Sequence, residues 1–369
     1  MQVNKIKAFE YAFYDEKING VSMENNILNT KRYFAAANGY DGFRSNFESV
    51  FSPNKLKKLF IIKGGPGTGK STLMRSVKDV VSKYAEVTEI LCSSDIRSLD
   101  GLVIKHDGIT VGIADGTAPH VLETRYPGAV DEIVNLGDGF NYRALMSCAN
   151  EIIDLSKRKG IAYGKAYTLL KSAGDVHRCV DDVLLNNGAY KEAENIAREM
   201  IDYEASGAHN GFESDFLDSA FSKDGYTRLA IPNTNKRIAG ISADGICEYC
   251  ITSKIFEMIK PRGVICRISY SPLSRDMVET IETDSAIYTV MNSKELNVDS
   301  GILFLGHSEE YARLKKIYDD LLGRARDAFI EASKYHFMLE DIYSKNVCFD
   351  ANDAKRDVII ERINEVFNK

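Results

Sequence analysis

One stretch of the chain decides its fold: Gly64-Gly65-Pro66-Gly67-Thr68-Gly69-Lys70-Ser71-Thr72. Its spacing fits the pattern G-x-x-x-x-G-K-[ST]. The apolar run at 59–62 before it predicts a buried strand, and Leu73, Val77 and Val81 after it recur at helical spacing. The sequence therefore predicts a strand, a glycine loop and a helix in succession, which is a unit of an α/β fold.

The residue types in this stretch suit the binding of a triphosphate. Glycines let several backbone N–H groups approach one anion closely, and the helix that begins near Gly69 points its dipole at the same place. Lys70 can bridge phosphate oxygens, and the Ser71 hydroxyl can ligate Mg²⁺. We therefore expect Gly64–Thr72 to bind a nucleoside triphosphate, with Thr68 and Lys70 on the phosphates.

Length, charge and cysteine usage narrow the class of protein. The chain has 369 residues, more than the roughly 250–300 at which one core usually divides. A net charge of −6 argues against general nucleic-acid binding, and no apolar run reaches the ~20 residues of a membrane span. Seven cysteines without regular spacing favour a reducing cytoplasm, and the pair Cys247 and Cys250 predicts one buried helical turn.

Internal echoes predict a tandem duplication. Residues 92–115 resemble residues 269–292, and two further echoes keep the same order along the chain. In this alignment Asp100 faces Asp276, Asp115 faces Asn292, and His177 faces His336. We expect an N-terminal extension at 1–30, a first domain at 31–208 and a second at 209–369, joined in a Gly/Ser/Asn-rich stretch near 206–215.

The second copy lacks the glycine loop. Residues Ser242–Tyr249 stand at its place, with Glu248 opposite Lys70 and Tyr249 opposite Ser71. A carboxylate at that position repels phosphate. The sequence thus predicts one working nucleotide site and one degenerate copy.

Each copy is predicted to be a parallel sheet with right-handed crossovers and a short helical lead-in. The strands after each loop fall at 87–91 and 109–114, and at 264–268 and 286–290. Long amphipathic segments follow at 142–204 and 309–367, and predict a helical hairpin on each copy.

Asp115 ends an apolar strand, which is the Walker-B arrangement for holding Mg²⁺; capping of a turn is the alternative. Gly116 follows it, so a residue that positions the nucleophile has to come from elsewhere. His120 and Thr117 lie in the next loop, where α/β sheets carry ligand contacts, although a histidine satisfied by its turn is equally compatible.

A second group of candidates follows the neighbouring strand. Asp95 and Asp100 could face a phosphate acceptor, with helix capping as the alternative. Arg97 and Arg125 could neutralise charge on the γ-phosphate, although a surface arginine is the default. His177 and His336 recur in both copies and are interpreted as structural.

Four segments, KGGPGTGKSTLM, CSSDIRSLDGLVI, DGTAPH and YPGAVDEIVNLGD, occur in an order that resembles a bacterial family of tandem-duplicated P-loop ATPases. The resemblance covers nearly the whole chain after about Lys31. It implies two P-loop NTPase-like domains and ATP binding, and it indicates no substrate. The family pattern has a second glycine-rich loop, from which this chain departs at Ser242–Tyr249.

These observations favour an ATP-binding, Mg²⁺-dependent NTPase in which Lys70, Asp115, and either His120 or Asp95 do the chemistry. One alternative is a small-molecule or nucleotide kinase, whose acceptor would lie near Asp95 and Asp100 against the helical hairpin. Another is a nucleotide-gated scaffold with slow turnover and a protein partner. No guanine-reading N-K-x-D stretch is apparent, so the base is left open.

Overall fold

A computed structural model describes residues 30–186, 188–201, 208–232, 234–242, 247–290, 297–299 and 309–368. Several sequence-based predictions lie outside this part of the chain: the N-terminal extension up to residue 29, the join at 202–207, the core of the degenerate loop at 243–246, and Asn292. The described strands are β1 (Lys31–Phe34), β2 (Ala36–Gly39), β3 (Gly42–Ser45), β4 (Lys58–Lys63), β5 (Glu86–Leu91), β6 (Leu99–His106), β7 (Ile109–Asp115), β8 (Asp131–Asn135), β9 (Ser219–Ser222), β10 (Gly225–Arg228), β11 (Arg237–Ser242), β12 (Ile265–Tyr270), β13 (Val278–Thr283), β14 (Ala286–Val290) and β15 (Asn297–Asp299).

The helices of the described residues fall largely where the amphipathic patterns predict them. Short 3₁₀ turns at Leu136–Gly139 and Lys260–Arg262 accompany them. The α-helices are α1 (Phe47–Val50), α2 (Lys70–Val81), α3 (Tyr142–Ser147), α4 (Ala149–Asn186), α5 (Ala189–Met200), α6 (Cys247–Ile259), α7 (Glu309–Ser344) and α8 (Asp350–Val366).

The first sheet is mixed, with strand order β1-β5-β6-β7-β4-β8. β4 pairs in parallel with β7 and β8, and β1 pairs in parallel with β5. β6 runs antiparallel to both of its neighbours, which corrects the prediction of a wholly parallel sheet. The cause is a two-residue turn, Asp107-Gly108, in which both residues have positive φ (47° and 79°) and fold β6 back onto β7.

The second sheet has the strand order β12-β13-β14-β11-β15, which repeats the order of the first sheet except that no strand corresponds to β1 among the described residues. β13 is again antiparallel to both neighbours. The pairing registers correct two positions of the sequence alignment. Ile62 pairs with Asp115 as Ile241 pairs with Val290, so Val290, and not Asn292, corresponds to Asp115. By the same logic Glu279, and not Asp276, corresponds to Asp100.

A β-hairpin precedes the strand that leads into each loop, formed by β2 and β3 in the first half and by β9 and β10 in the second. In the first half the short helix α1 follows the hairpin and precedes β4, so the predicted helical lead-in is present there, next to a hairpin that was not predicted. The turn of the first hairpin reaches the second half. The Tyr40 N–H donates to the Leu273 carbonyl at 2.9 Å.

The helical hairpins are exchanged between the halves. We call α4–α5 (Ala149–Met200) the first arm and α7–α8 (Glu309–Val366) the second arm. Ala193 and Ala197 of the first arm share a buried cluster with Ile251 and Ile255 of α6, in the second half. Ile359 and Ile363 of the second arm share a buried cluster with β4 and α2, in the first half. The prediction that each hairpin packs on its own copy is therefore corrected.

One glycine of the first arm should report on the packing of that arm against the hairpin of β2 and β3. A Cβ added at Gly174 would lie 2.6 Å from the Tyr40 ring, whereas a Cβ at Gly160 on the same helix meets no atom within 4 Å. We expect Gly174→Ala to lower the free energy of unfolding by about 1–3 kcal/mol through overpacking. Gly160→Ala should raise it by up to about 1 kcal/mol, because alanine favours helix. Denaturant unfolding of the two variants measures both; equal effects would contradict the close contact at Tyr40.

Two further features of the described residues bear on the class of protein. None of the described helices combines the length and apolar character that a membrane span requires. The cysteines at 92, 148, 179, 250, 266 and 348 are all free thiols. Burial raises the pKa of the Cys250 thiol to about 12, so this residue behaves as a packing group, as predicted.

Candidate functional site

The glycine loop (Gly64–Gly69) connects β4 to α2 at the edge of the sheet where the parallel strands end. Gly67 and Gly69 have φ values of +68° and +84°, a region that glycine enters without steric cost. The Thr68 hydroxyl donates to the Gly65 carbonyl at 2.8 Å and closes the loop on itself. The backbone between β4 and α2 is thus held in a tight turn directly before the N-terminus of α2, a helix of twelve residues.

Lys70 lies at the centre of this turn. Its Nζ donates to the carbonyls of Gly65 (2.8 Å) and Gly64 (3.3 Å). It also lies 3.6 Å from Oδ2 of Asp115, and only 14% of the Lys70 side chain is exposed. A cation this shielded needs anionic or carbonyl partners. The loop therefore holds a positive charge at the N-terminus of α2.

Asp115 and Ser71 supply the oxygen atoms beside that cation. Asp115 Oδ1 accepts from both the N–H (2.9 Å) and the hydroxyl (2.5 Å) of Thr117. Burial raises the pKa of Asp115, while Lys70 and Thr117 oppose the rise. Ser71 Oγ accepts from the Leu99 N–H at 2.9 Å. A carboxylate and a hydroxyl are hard oxygen donors of the kind that Mg²⁺ takes in small number, together with phosphate oxygens.

Asp100 and His120 form a buried pair next to Asp115. Their side chains are 8% and 7% exposed, and His120 Nε2 lies 3.2 Å from Asp100 Oδ2. The His120 ring stacks on Phe47 with centroids 4.2 Å apart. Gly101 pairs with Ala114 across β6 and β7, so Asp100 and Asp115 lie at the same edge of the sheet. Besides burial, the negative charge of Asp100 contributes to the raised pKa of Asp115. His120 is therefore a buried neighbour of Asp100 rather than a solvated loop residue.

The other predicted candidates have partners of their own. Asp95 binds the Arg97 side chain at 3.1 and 3.2 Å; burial raises the pKa of Asp95, but the bonds from Arg97 outweigh this and hold it below its usual range. Arg125 pairs with Glu48 at 2.9 Å. The Thr117 hydroxyl donates to Asp115, which itself lies beside Lys70. Of Asp95, Arg125 and Thr117, Thr117 is therefore the one that belongs to the site around Lys70.

The histidines interpreted as structural have packing partners. The centroids of the Tyr40 and Tyr318 rings each lie 6.1 Å from the centroid of the His177 ring. His177 also lies within ion-pair distance of Asp181. His336 lies 3.4 Å from Glu340 on the same helix. His177 thus belongs to the packing of the arms, whereas the His336 side chain is 41% exposed and its ion pair lies within α7.

Sequence reasoning missed the residues that the arms bring to the glycine loop. A Cβ added at Gly67 would lie 2.6 Å from the carbonyl oxygen of Glu340, and one at Gly65 would lie 3.0 Å from the ring of Tyr343. From the first arm, Lys159 is half-buried near the same place: burial lowers its pKa, repulsion from Lys70 adds to the effect, and Glu340 opposes it. No sequence signal links these residues to the loop, because they come from helices far along the chain.

The described residues contain no group of three or more His, Cys, Asp or Glu side chains that could hold a metal by themselves. Mg²⁺ sites built from one or two protein oxygens plus phosphate do not need such a group. A comparison of the chain with protein-family models, with curated proteins and with solved structures finds no match.

Proposed function

We propose that the chain binds ATP with Mg²⁺ at the glycine loop and turns it over as a P-loop NTPase. One observation carries the proposal: a shielded Lys70 Nζ held by the Gly64 and Gly65 carbonyls, 3.6 Å from the strand-end carboxylate of Asp115. A lysine, a helix N-terminus and a carboxylate converging on one turn suit a metal-bound triphosphate.

Each residue then has a defined part. The N–H groups of Gly67–Lys70 and the Lys70 ammonium bind phosphate oxygens, exchanging the loop carbonyls for the anion. Ser71 and Asp115 would hold Mg²⁺, which when bound offsets the charge of the phosphates. Thr117 fixes the orientation of Asp115 through two hydrogen bonds to one oxygen, leaving Oδ2 directed toward Lys70.

The proposal includes one nucleotide site per chain. Val290 occupies the position in the second sheet that Asp115 has in the first, so the second half lacks this carboxylate. A valine offers no ligand to Mg²⁺. Glu279 occupies the position in the second sheet that Asp100 has in the first. Its side chain is fully buried and accepts a hydrogen bond from the Ser219 hydroxyl, as a structural carboxyl group does.

Calorimetric titration of the full chain with ATP, with Mg²⁺ and with EDTA, tests this function. We expect saturation at one ATP per chain, and release of phosphate only when Mg²⁺ is present. Two equal sites would contradict the single-site proposal. No saturable ATP binding at millimolar concentration would overturn the function itself.

A second candidate function is phosphoryl transfer to a small hydroxyl compound, and the Asp100–His120 pair favours it. Asp100 Oδ2 is buried without a hydrogen bond in the described residues, and His120 lies beside it. A carboxylate that accepts the proton of an attacking hydroxyl is the usual base in such transfers. Formation of ADP that depends on an added acceptor, and that is lost in Asp100→Asn, would support a kinase; acceptor-independent phosphate release would support an ATPase.

A further inference from the structure

The end of the connection between α7 and α8, together with the first turn of α8, lies against the glycine loop at Gly69. A Cβ added at Gly69 would lie 3.1 Å from Nδ2 of Asn352 and 3.4 Å from the ring of Phe349. Asn352 Nδ2 donates to the Thr68 carbonyl at 2.9 Å, across 284 residues of sequence. The second arm therefore places an amide and an aromatic ring directly beside the loop that we propose binds phosphate.

The amide of Asn352 uses only part of its hydrogen-bonding capacity. The residue is 9% exposed, and its Oδ1 has no hydrogen-bond partner among the described residues. The bond to Thr68 fixes the orientation of the amide, because only the nitrogen can donate to a carbonyl. One N–H and the oxygen are left for a partner, and a buried acceptor without one costs free energy that a ligand's donor would recover.

Phe349 adds an apolar face to the same place. It is 46% exposed, although large aromatic side chains are mostly buried. It immediately precedes α8, and its ring edge faces Gly69. An exposed ring beside a phosphate-binding loop is suited to stacking a base, an interaction that every nucleobase can make.

We propose that Phe349 and Asn352 form a base subsite that selects adenine. This inference rests on the proposed function, since a nucleotide with its phosphates in the loop must carry its base onto a neighbouring surface. Adenine presents an acceptor at N7 and a donor at N6, which match the remaining N–H and Oδ1 of Asn352. Guanine and hypoxanthine present an oxygen at position 6, and Oδ1 would then face a second acceptor.

Three triphosphates test the subsite on the unmodified full chain: ATP, inosine triphosphate, and 7-deaza-ATP. Inosine triphosphate has an acceptor oxygen in place of the N6 amino group of ATP, and 7-deaza-ATP has a C–H group in place of the N7 acceptor. We expect each to bind more weakly than ATP, by roughly 5- to 150-fold for loss of the paired contact. This comparison needs no variant, so it does not depend on the folding of a mutant.

Variants assign the effect to the two residues. Asn352→Ala should bring the ratio of ATP to inosine triphosphate affinity close to one. Asn346→Ala, in the connection that precedes α8 and with its amide bonded to the Ile342 carbonyl, should keep the wild-type ratio. Phe349→Ala should weaken both triphosphates by roughly 5- to 150-fold through lost stacking. Phe337→Ala, equally 46% exposed on α7, is the matched control and should change neither.

The outcomes separate the two proposals. Equal affinity of the wild-type chain for ATP and inosine triphosphate would overturn the adenine subsite and leave the nucleotide site standing. A wild-type ratio that persists in Asn352→Ala would also overturn it. Absence of binding for all three triphosphates would overturn the proposed function.

Discussion

Replacing Lys70 with alanine is expected to weaken ATP binding by about 10- to 150-fold. A charge-assisted hydrogen bond contributes ~1.5–3 kcal/mol, and Lys70 is the ammonium that the glycine loop itself holds in place. Calorimetric titration of the variant with ATP measures the loss. The glycines are untouched, and alanine keeps the backbone of the first residue of α2 helical, so circular dichroism should show an unchanged fold.

Lys78 provides the control for this prediction. It lies two turns further along the same helix and pairs with Glu89 at 2.8 Å, so Lys78→Ala also removes one ammonium with a carboxylate partner. We expect its ATP affinity to equal that of the wild type. Equal losses in both variants would show that the effect comes from general charge, and an unchanged affinity in Lys70→Ala would rule out the phosphate contact.

Replacing Asp115 with asparagine is expected to reduce Mg²⁺-dependent turnover by roughly 100-fold or more, since a metal ion supplies several kcal/mol of charge stabilisation in the transition state. Nucleotide binding in EDTA should persist, because Lys70 and the loop are retained. Phosphate release measured across a range of Mg²⁺ concentrations distinguishes the two effects. Asp95→Asn is the matched control at the same edge of the sheet, and its turnover should stay near wild type because Arg97 already occupies that carboxylate.

The raised pKa of Asp115 gives this variant a second signature. Burial raises the folded-state pKa above the unfolded one, so the ionised carboxylate costs stability, and the cost appears as pH rises through the folded pKa. Asp115→Asn removes the ionisation. Its free energy of unfolding should therefore equal or exceed the wild-type value at neutral pH, and the difference should shrink as pH falls. A variant that is less stable than wild type only at neutral pH would contradict this sign.

Local sequence predicts the centre of the candidate site well. The glycine loop, α2 and the strand that ends at Asp115 depend on residues close together in the chain, and the structure has all three where the pattern placed them. The turn Asp107-Gly108 is a sequence signal for a hairpin, so the antiparallel strand β6 was predictable from it. The parallel interpretation overlooked that signal.

The rest depends on contacts that no local pattern specifies. Amphipathic stripes on α4 and α7 predict helices with a buried face, but they do not state which sheet the face covers. The partners of the glycine loop at Glu340, Tyr343 and Asn352 follow from that choice. His120 is similar, because its burial against Phe47 depends on how α1 packs, and the prediction of a short helical lead-in did not specify that packing.

The exchange of the arms has a consequence for how the chain can be divided. Each half packs its arm against the other half, so the chain resembles a dimer whose two subunits are joined in one polypeptide. A cut between residues 201 and 208 would leave two fragments still held together, whereas either fragment alone would expose the apolar surface that the other covers. The second half is thus indispensable to the first, because its arm forms a wall of the glycine loop at Gly65, Gly67 and Gly69.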